Sequence, residues 1–152
     1  MATYAKYIPP GMEDFKKALR QHNLKATQQR LAVHSVMIQL GHASADMVEE
    51  KLKEYGTVKI TVASVYNILT QLARLGIYSY RLSRNNKMYF DVNAVNHIHL
   101  YDADNHEYKD VLDEELLTFV EQKLRSSKFR GYKIDNIDIQ INCHTSSRRQ
   151  RK

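Results

Sequence analysis

Residues 61–76 read TVASVYNILTQLARLG and residues 77–92 read IYSYRLSRNNKMYFDV, and the period of the apolar positions changes at the glycine between them. Before Gly76, the residues Val62, Val65, Tyr66, Leu69, Leu72 and Ala73 recur at helical spacing. Thr61 is placed to cap the start of that helix and Gly76 to cap its end. After Gly76 the pattern alternates, so residues 77–82 and 87–92 are short strand candidates around the polar turn Ser83, Arg84, Asn85 and Asn86. Helices that run into a β-hairpin describe a winged helix.

The upstream sequence supplies the other helices. Met12, Phe15, Ala18 and Leu19 share one helical face over residues 11–22. Thr27 is placed to cap a helix carrying Val33, Val36, Met37 and Leu40 before Gly41 stops it, and Ser44 one carrying Met47, Val48 and Leu52 that ends near Gly56. Four helices in about 65 residues make a small helical domain.

Downstream, residues 97–101 and 108–111 are short strand candidates. Residues 113–126 read as a helix that buries Leu116, Leu117, Val120 and Leu124, and Ile134, Ile137, Ile139 and Ile141 mark a final strand region. The predicted class is α+β: an N-terminal winged-helix DNA-binding domain over residues 1–92, a small α/β dimerisation domain over 93–147, and a basic tail over 148–152. The second domain has little internal cover for its apolar face, which predicts a homodimer.

The 152 residues are 43% hydrophobic, enough to bury a core. No run approaches the roughly 18 to 20 apolar residues of a membrane helix, and the N-terminus, with Lys6, Pro9 and Pro10, lacks the apolar stretch of a signal peptide. A cytoplasmic protein without a membrane partner is expected. Cys143 is the single cysteine, so neither an internal disulfide nor paired thiolates for zinc can form. Charge is unevenly spread. Residues 1–90 carry 13 Lys and Arg against 6 Asp and Glu, a net +7; residues 91–152 carry 10 against 11, a net −1, with Arg148, Arg149, Arg151 and Lys152 in the tail. A basic N-terminal half suits double-stranded DNA.

The helix after Thr61 is the candidate reader. Its predicted outward residues, Ala63, Ser64, Asn67, Thr70 and Gln71, combine small side chains that permit close approach with amides that pair with adenine. The same pattern also describes an amphipathic helix whose outer face is merely wet. Arg81 and Arg84, at the hairpin turn, are either phosphate contacts or part of a solvated tip.

A second constellation offers imidazole nitrogen and carboxylate oxygen without sulfur. His97 and His99 are two apart, so a strand points both imidazoles to one face; Asp110 lies eleven residues beyond, a distance that suits a return strand. Asp91 ends the hairpin and His42 follows the second helix. These five suit Fe(II) or Mn(II), with Zn(II) a strong competitor, and such an ion would bridge the two lobes. A small metalloenzyme is the rival from another class, disfavoured because neither a nucleophile nor a general base accompanies the site and no Gly-rich phosphate loop is present. His106, Asp102, Asp104 and Glu107 crowd one loop, which is either a surface turn or a second cation site. His22, His34 and His144 read as ordinary surface or packing residues.

The order and spacing of four segments resemble the ferric uptake regulator (Fur) family of metal-dependent repressors from about Leu24 to Ile141: LKATQQR from Leu24, GHASAD from Gly41, SVYN from Ser64, and NHIHL from Asn96. The resemblance implies a regulatory metal site at His42, Asp91, His97, His99 and Asp110, and adds Tyr66 to the DNA contacts. Asp at both carboxylate positions, and Asn67 after Tyr66, resemble the peroxide-sensing branch called PerR. That branch implies Fe(II)-dependent oxidation of a ligand histidine, His42 or His97; the alternative is an iron-availability repressor. The Cys-x-x-Cys pairs of many relatives are replaced by Asp102 and Asn105 and, near the second pair, by Cys143 alone, so no structural four-cysteine zinc is expected. A further family site is expected to be absent or weakened, because Asn96 and Ile98 occupy two of its positions.

Overall fold

A computed structural model describes residues 10–94, 97–126, 129–134 and 137–146. The N-terminal Lys6 and Pro9, Asn96 and the basic tail at 148–152 lie outside the described residues. The chain divides into a unit of Ile8–Ala94 and a second that includes Val95–Lys152.

In the first unit, local capping chemistry sets the helix boundaries. Helix α1 spans Met12–Gln21 and buries Phe15 and Leu19. Helix α2, Gln28–Leu40, starts where the Thr27 side chain accepts a hydrogen bond from the Arg30 amide at 3.2 Å. Helix α3, Ala45–Tyr55, starts at Ser44 and helix α4, Val62–Arg74, at Thr61, each side chain accepting from the amide three residues on. At Gly41 the backbone turns to φ +72°, left-handed territory that favours glycine, and the chain leaves α2 there.

A two-residue strand β1, His42–Ala43, follows directly, then β2, Ser79–Leu82, and β3, Met88–Asp91. They form an antiparallel sheet in the order β1-β3-β2, with the predicted hairpin as its β2–β3 arm. The core joins Val33, Val36 and Met37 of α2, Val48 and Leu52 of α3, Val65, Leu69 and Leu72 of α4, and Tyr78 and Phe90 of the hairpin. Each such side chain contributes on the order of 1.5–3 kcal/mol when fully buried. The expected stripe on α4 is narrower than predicted: Val65, Leu69 and Leu72 are buried and Ala73 packs against them, but Val62 and Tyr66 are 41% and 44% exposed.

His34 is a packing residue, as its lack of partners at a telling spacing suggested. It is fully buried, stacks on Phe15 with ring centroids 3.9 Å apart, and places Nδ1 2.6 Å from the Tyr78 hydroxyl and Nε2 3.0 Å from the Pro10 carbonyl. Burial pushes the folded imidazole below its ordinary 6.5, partly opposed by the Pro10 hydrogen bond. The unfolded chain therefore binds the proton more readily than the folded one. This contribution to stability is complete above 6.5 and declines as pH falls through that value toward the lower folded one. Urea midpoints should drop between pH 7.5 and 5.5 by more in the natural protein than in His34→Phe, whose ring can keep the stack; equal drops would exclude His34 as a source.

The second unit is built on β4, Ile98–Asp102, with antiparallel β5, Glu107–Val111, on one side and parallel β6, Ile139–Cys143, on the other. Ile134 and Ile137, expected within the last strand, precede it. Helix α5, Glu114–Arg125, begins where the Asp113 side chain accepts from the Leu116 amide at 2.9 Å. It buries no residue, contrary to the expected burial of Leu116, Leu117, Val120 and Leu124. Leu117, Val120 and Leu124 are half-buried, while Leu116 and Phe119 are 41% and 63% exposed, so among the described residues part of the helix's apolar face stays open. Among the described residues, no helix is long and apolar enough to cross a membrane.

Candidate metal centre and nucleic-acid interface

Each unit brings histidine to carboxylate by strand register. In the first, Gly41 delivers the chain onto β1, and antiparallel pairing sets His42 opposite Asp91 of β3. His42 Nε2 lies 2.9 Å from Asp91 Oδ2, with the two side chains only 10% and 5% exposed. The other carboxylate oxygen, Oδ1, accepts from the Asn93 amide at 2.8 Å. A carboxylate this buried requires positive or hydrogen-donating neighbours, and an imidazole or a cation supplies them.

In the second unit, His99 of β4 pairs with Asp110 of β5. His97 lies one residue before β4 begins, not within it, yet its Nε2 is 3.0 Å from Asp110 Oδ1 and its ring is 4.0 Å from that of His99. Ligand atoms of His97, His99 and Asp110 lie within 4.8 Å of one another. Tyr108 presents its ring edge-on to His99 at 6.2 Å and donates its hydroxyl to Gln140 at 3.4 Å. Asp138, just before β6, brings Oδ1 to 3.8 Å from His99 Nδ1. Sequence reading passed over Asp138 because its neighbours marked that segment only as an apolar strand. The combined chemistry of nitrogen and oxygen donors fits Fe(II), Mn(II) or Zn(II), and offers no thiolate.

The loop between β4 and β5 is a hydrogen-bonded turn. Asp102 accepts from the Asp104 and Asn105 amides and from the Asn105 side chain at 2.8 Å. Asp104 accepts from the Thr145 amide and hydroxyl at 2.8 and 2.6 Å. The Asn105 side-chain amide and the Thr145 hydroxyl hold these two carboxyls below their usual range. His106 takes a positive φ of 54° and sits 2.7 Å from the Tyr101 hydroxyl. Cys143 pairs with Asp102 across the sheet and donates its thiol to the Tyr101 carbonyl at 3.4 Å.

On α4, Ala63, Asn67 and Tyr66 are exposed, and Tyr66 packs edge-on against Phe90 at 6.1 Å. Ser64 is half-buried and accepts from the Thr61 hydroxyl. Thr70 and Gln71 are less outward than the helical period predicts: the Thr70 hydroxyl is buried, and Gln71 accepts from the Arg30 guanidinium at 3.0 Å. Arg84 at the hairpin turn is exposed and Arg81 half-buried.

The sequence profile described as the ferric uptake regulator family matches residues 21–142. The ferric uptake regulator of Vibrio cholerae is 23% identical, with a TM-score of 0.71 over 86% of this chain and 99% of its own. That of Pseudomonas aeruginosa, solved with manganese, is 21% identical, with a TM-score of 0.69 over 87% and 98%. The Helicobacter pylori regulator is 16% identical, with a TM-score of 0.73 over 96% and 99%. At these identities the likeness is one of fold. No curated protein matches the chain.

Proposed function

This chain belongs to the ferric uptake regulator family, and from that premise we propose that it is a homodimeric repressor of the cytoplasm that grips double-stranded operator DNA when one Fe(II) or Mn(II) is shared by its two units. Members of the family are metal-responsive transcription regulators and not enzymes. The observation that carries the proposal is the repeated pairing of imidazole with carboxylate, His42 with Asp91 at 2.9 Å and His97 with Asp110 at 3.0 Å, one pair in each unit. Three imidazoles, His42, His97 and His99, and two carboxylates, Asp91 and Asp110, then supply five donors. Sharing them favours one arrangement of the units over others, which is a population shift with a coupling free energy. Ala63, Ser64, Tyr66 and Asn67 meet base edges, Thr70 and Gln71 support that face, and Arg84 contacts phosphate.

The signal we propose is hydrogen peroxide. Bound Fe(II) would supply the redox chemistry. In the net reaction one peroxide oxygen replaces the hydrogen on C2 of a ligand imidazole, His42 or His97, giving the 2-oxo ring, and the other leaves as water. The altered ring is a poorer donor, and DNA is released. Two observations of sequence support this over a plain iron gauge: Asp at both carboxylate positions, and Asn67 following Tyr66. Mass spectrometry of the iron form after brief peroxide treatment should find one added oxygen on a peptide carrying His42 or His97, in step with loss of DNA binding. If DNA is released by chelation alone and neither histidine gains oxygen, the protein reports iron availability instead.

A further inference from the structure

The last strand brings a carboxylate that the five-residue set does not contain. Parallel pairing sets His99 opposite Gln140. Side chains alternate along a strand, so Asp138, two residues before Gln140, shares the sheet face of His99 and Asp110. Asp138 Oδ1 lies 3.8 Å from His99 Nδ1. That separation is too long for a hydrogen bond. It is a few tenths of an ångström beyond the spacing of two neighbouring donors on one ion, roughly 3 to 3.4 Å for bonds of about 2.1 Å at right to tetrahedral angles. His99 Nδ1 and Asp110 Oδ1 are buried atoms, whereas the Asp138 side chain is 56% exposed.

Resting on the metal-centre reading above, we propose that Asp138 is a further ligand, donated from the start of β6 to the ion held by His97, His99 and Asp110. The second unit then offers two imidazoles and two carboxylates, from β4, β5 and the residues that lead into β4 and β6. Four donors are enough to retain an ion before the first unit contributes any. Metal uptake and the response to metal thereby become separable, the first belonging to one unit and the second requiring His42 and Asp91. An added carboxylate also shifts the site toward oxygen-preferring Mn(II) and Fe(II).

Calorimetric titration of the intact chain with Mn(II), beside Asp138→Ala and Asp138→Asn, tests the assignment. Both variants should bind Mn(II) roughly 10- to 100-fold more weakly, the scale on which altered partners of a metal site are felt. Water-proton relaxation by the bound Mn(II) should report one more coordinated water, because solvent takes the vacated position. Circular dichroism should be unchanged, as expected for so exposed a side chain. Unaltered affinity, or weaker affinity with the same number of bound waters, would overturn Asp138 as a ligand. If His97→Ala and His99→Ala proteins bind Mn(II) as tightly as the natural chain, the metal centre itself is wrong, a failure read from variants that leave Asp138 in place.

Discussion

A His42→Ala protein should still bind Mn(II) and yet gain little or no DNA affinity from it. His42 is the imidazole of the winged-helix unit, fixed on β1 against Asp91, while the second unit keeps His97, His99, Asp110 and Asp138. At saturating metal the second unit's own donors should still hold the ion, so the variant would separate occupancy from consequence. Coupling free energies between sites are typically 1–3 kcal/mol, so metal should strengthen DNA binding by the natural protein by about 5- to 150-fold. In His42→Ala that factor should fall to about one. The measurement is anisotropy of a labelled duplex, selected by the natural protein from a random pool, with and without saturating Mn(II). Removing the imidazole also strips Asp91 of a neighbour, which costs about 1–3 kcal/mol of stability. His42→Gln, which retains a hydrogen-bond donor, should fold more firmly and lose the coupling equally. A full metal effect in either variant would mean that the second unit transmits the signal without His42.

The strand that fixes His42 is the part of this site least legible in the sequence. Thr27, Ser44 and Thr61 announce their helices because capping is a contact over three residues, and the structure places each hydroxyl as the sequence predicts. β1 has two residues, too few for any period, and exists only through its pairing with β3 almost fifty positions later. His99 and Asp110 were easier, since a short antiparallel turn returns the chain within the same stretch. Asp138 was harder for the opposite reason. The alternation of Ile137, Ile139 and Ile141 already places Asp138 and Gln140 on the other face, but nothing local says that this face meets His99; the parallel pairing with β4 decides it. Periodicity likewise cannot tell where a core ends, which is why Val62 and Tyr66 continue the α4 stripe in sequence and leave it in space.

The same limitation applies to α5, and it leads to the second large effect: Phe119→Glu should convert the protein to a monomer. The helix shows a regular apolar stripe in sequence, yet none of its residues is buried within the chain, and Phe119 is 63% exposed. In the sheet order β5-β4-β6, β6 is an edge, and Ile141 on it is 41% exposed. A partly exposed apolar helix face and a strand that is an edge among the described residues are features that a second copy can satisfy by packing and by strand pairing. A central aromatic in such an interface typically contributes on the order of 2–4 kcal/mol, so replacement by a charge should weaken dimerisation by roughly 30- to 1,000-fold. Operator binding should weaken with it, because two linked winged helices reach adjacent half-sites at a high effective concentration and one alone does not. Thr118→Glu, on the same helix and already exposed, controls for added charge. Sedimentation equilibrium gives the association state, and Mn(II) titration shows whether the second unit remains folded. A Phe119→Glu protein that stays dimeric would place the interface elsewhere than α5; a monomer with normal DNA affinity would instead remove dimerisation from the mechanism.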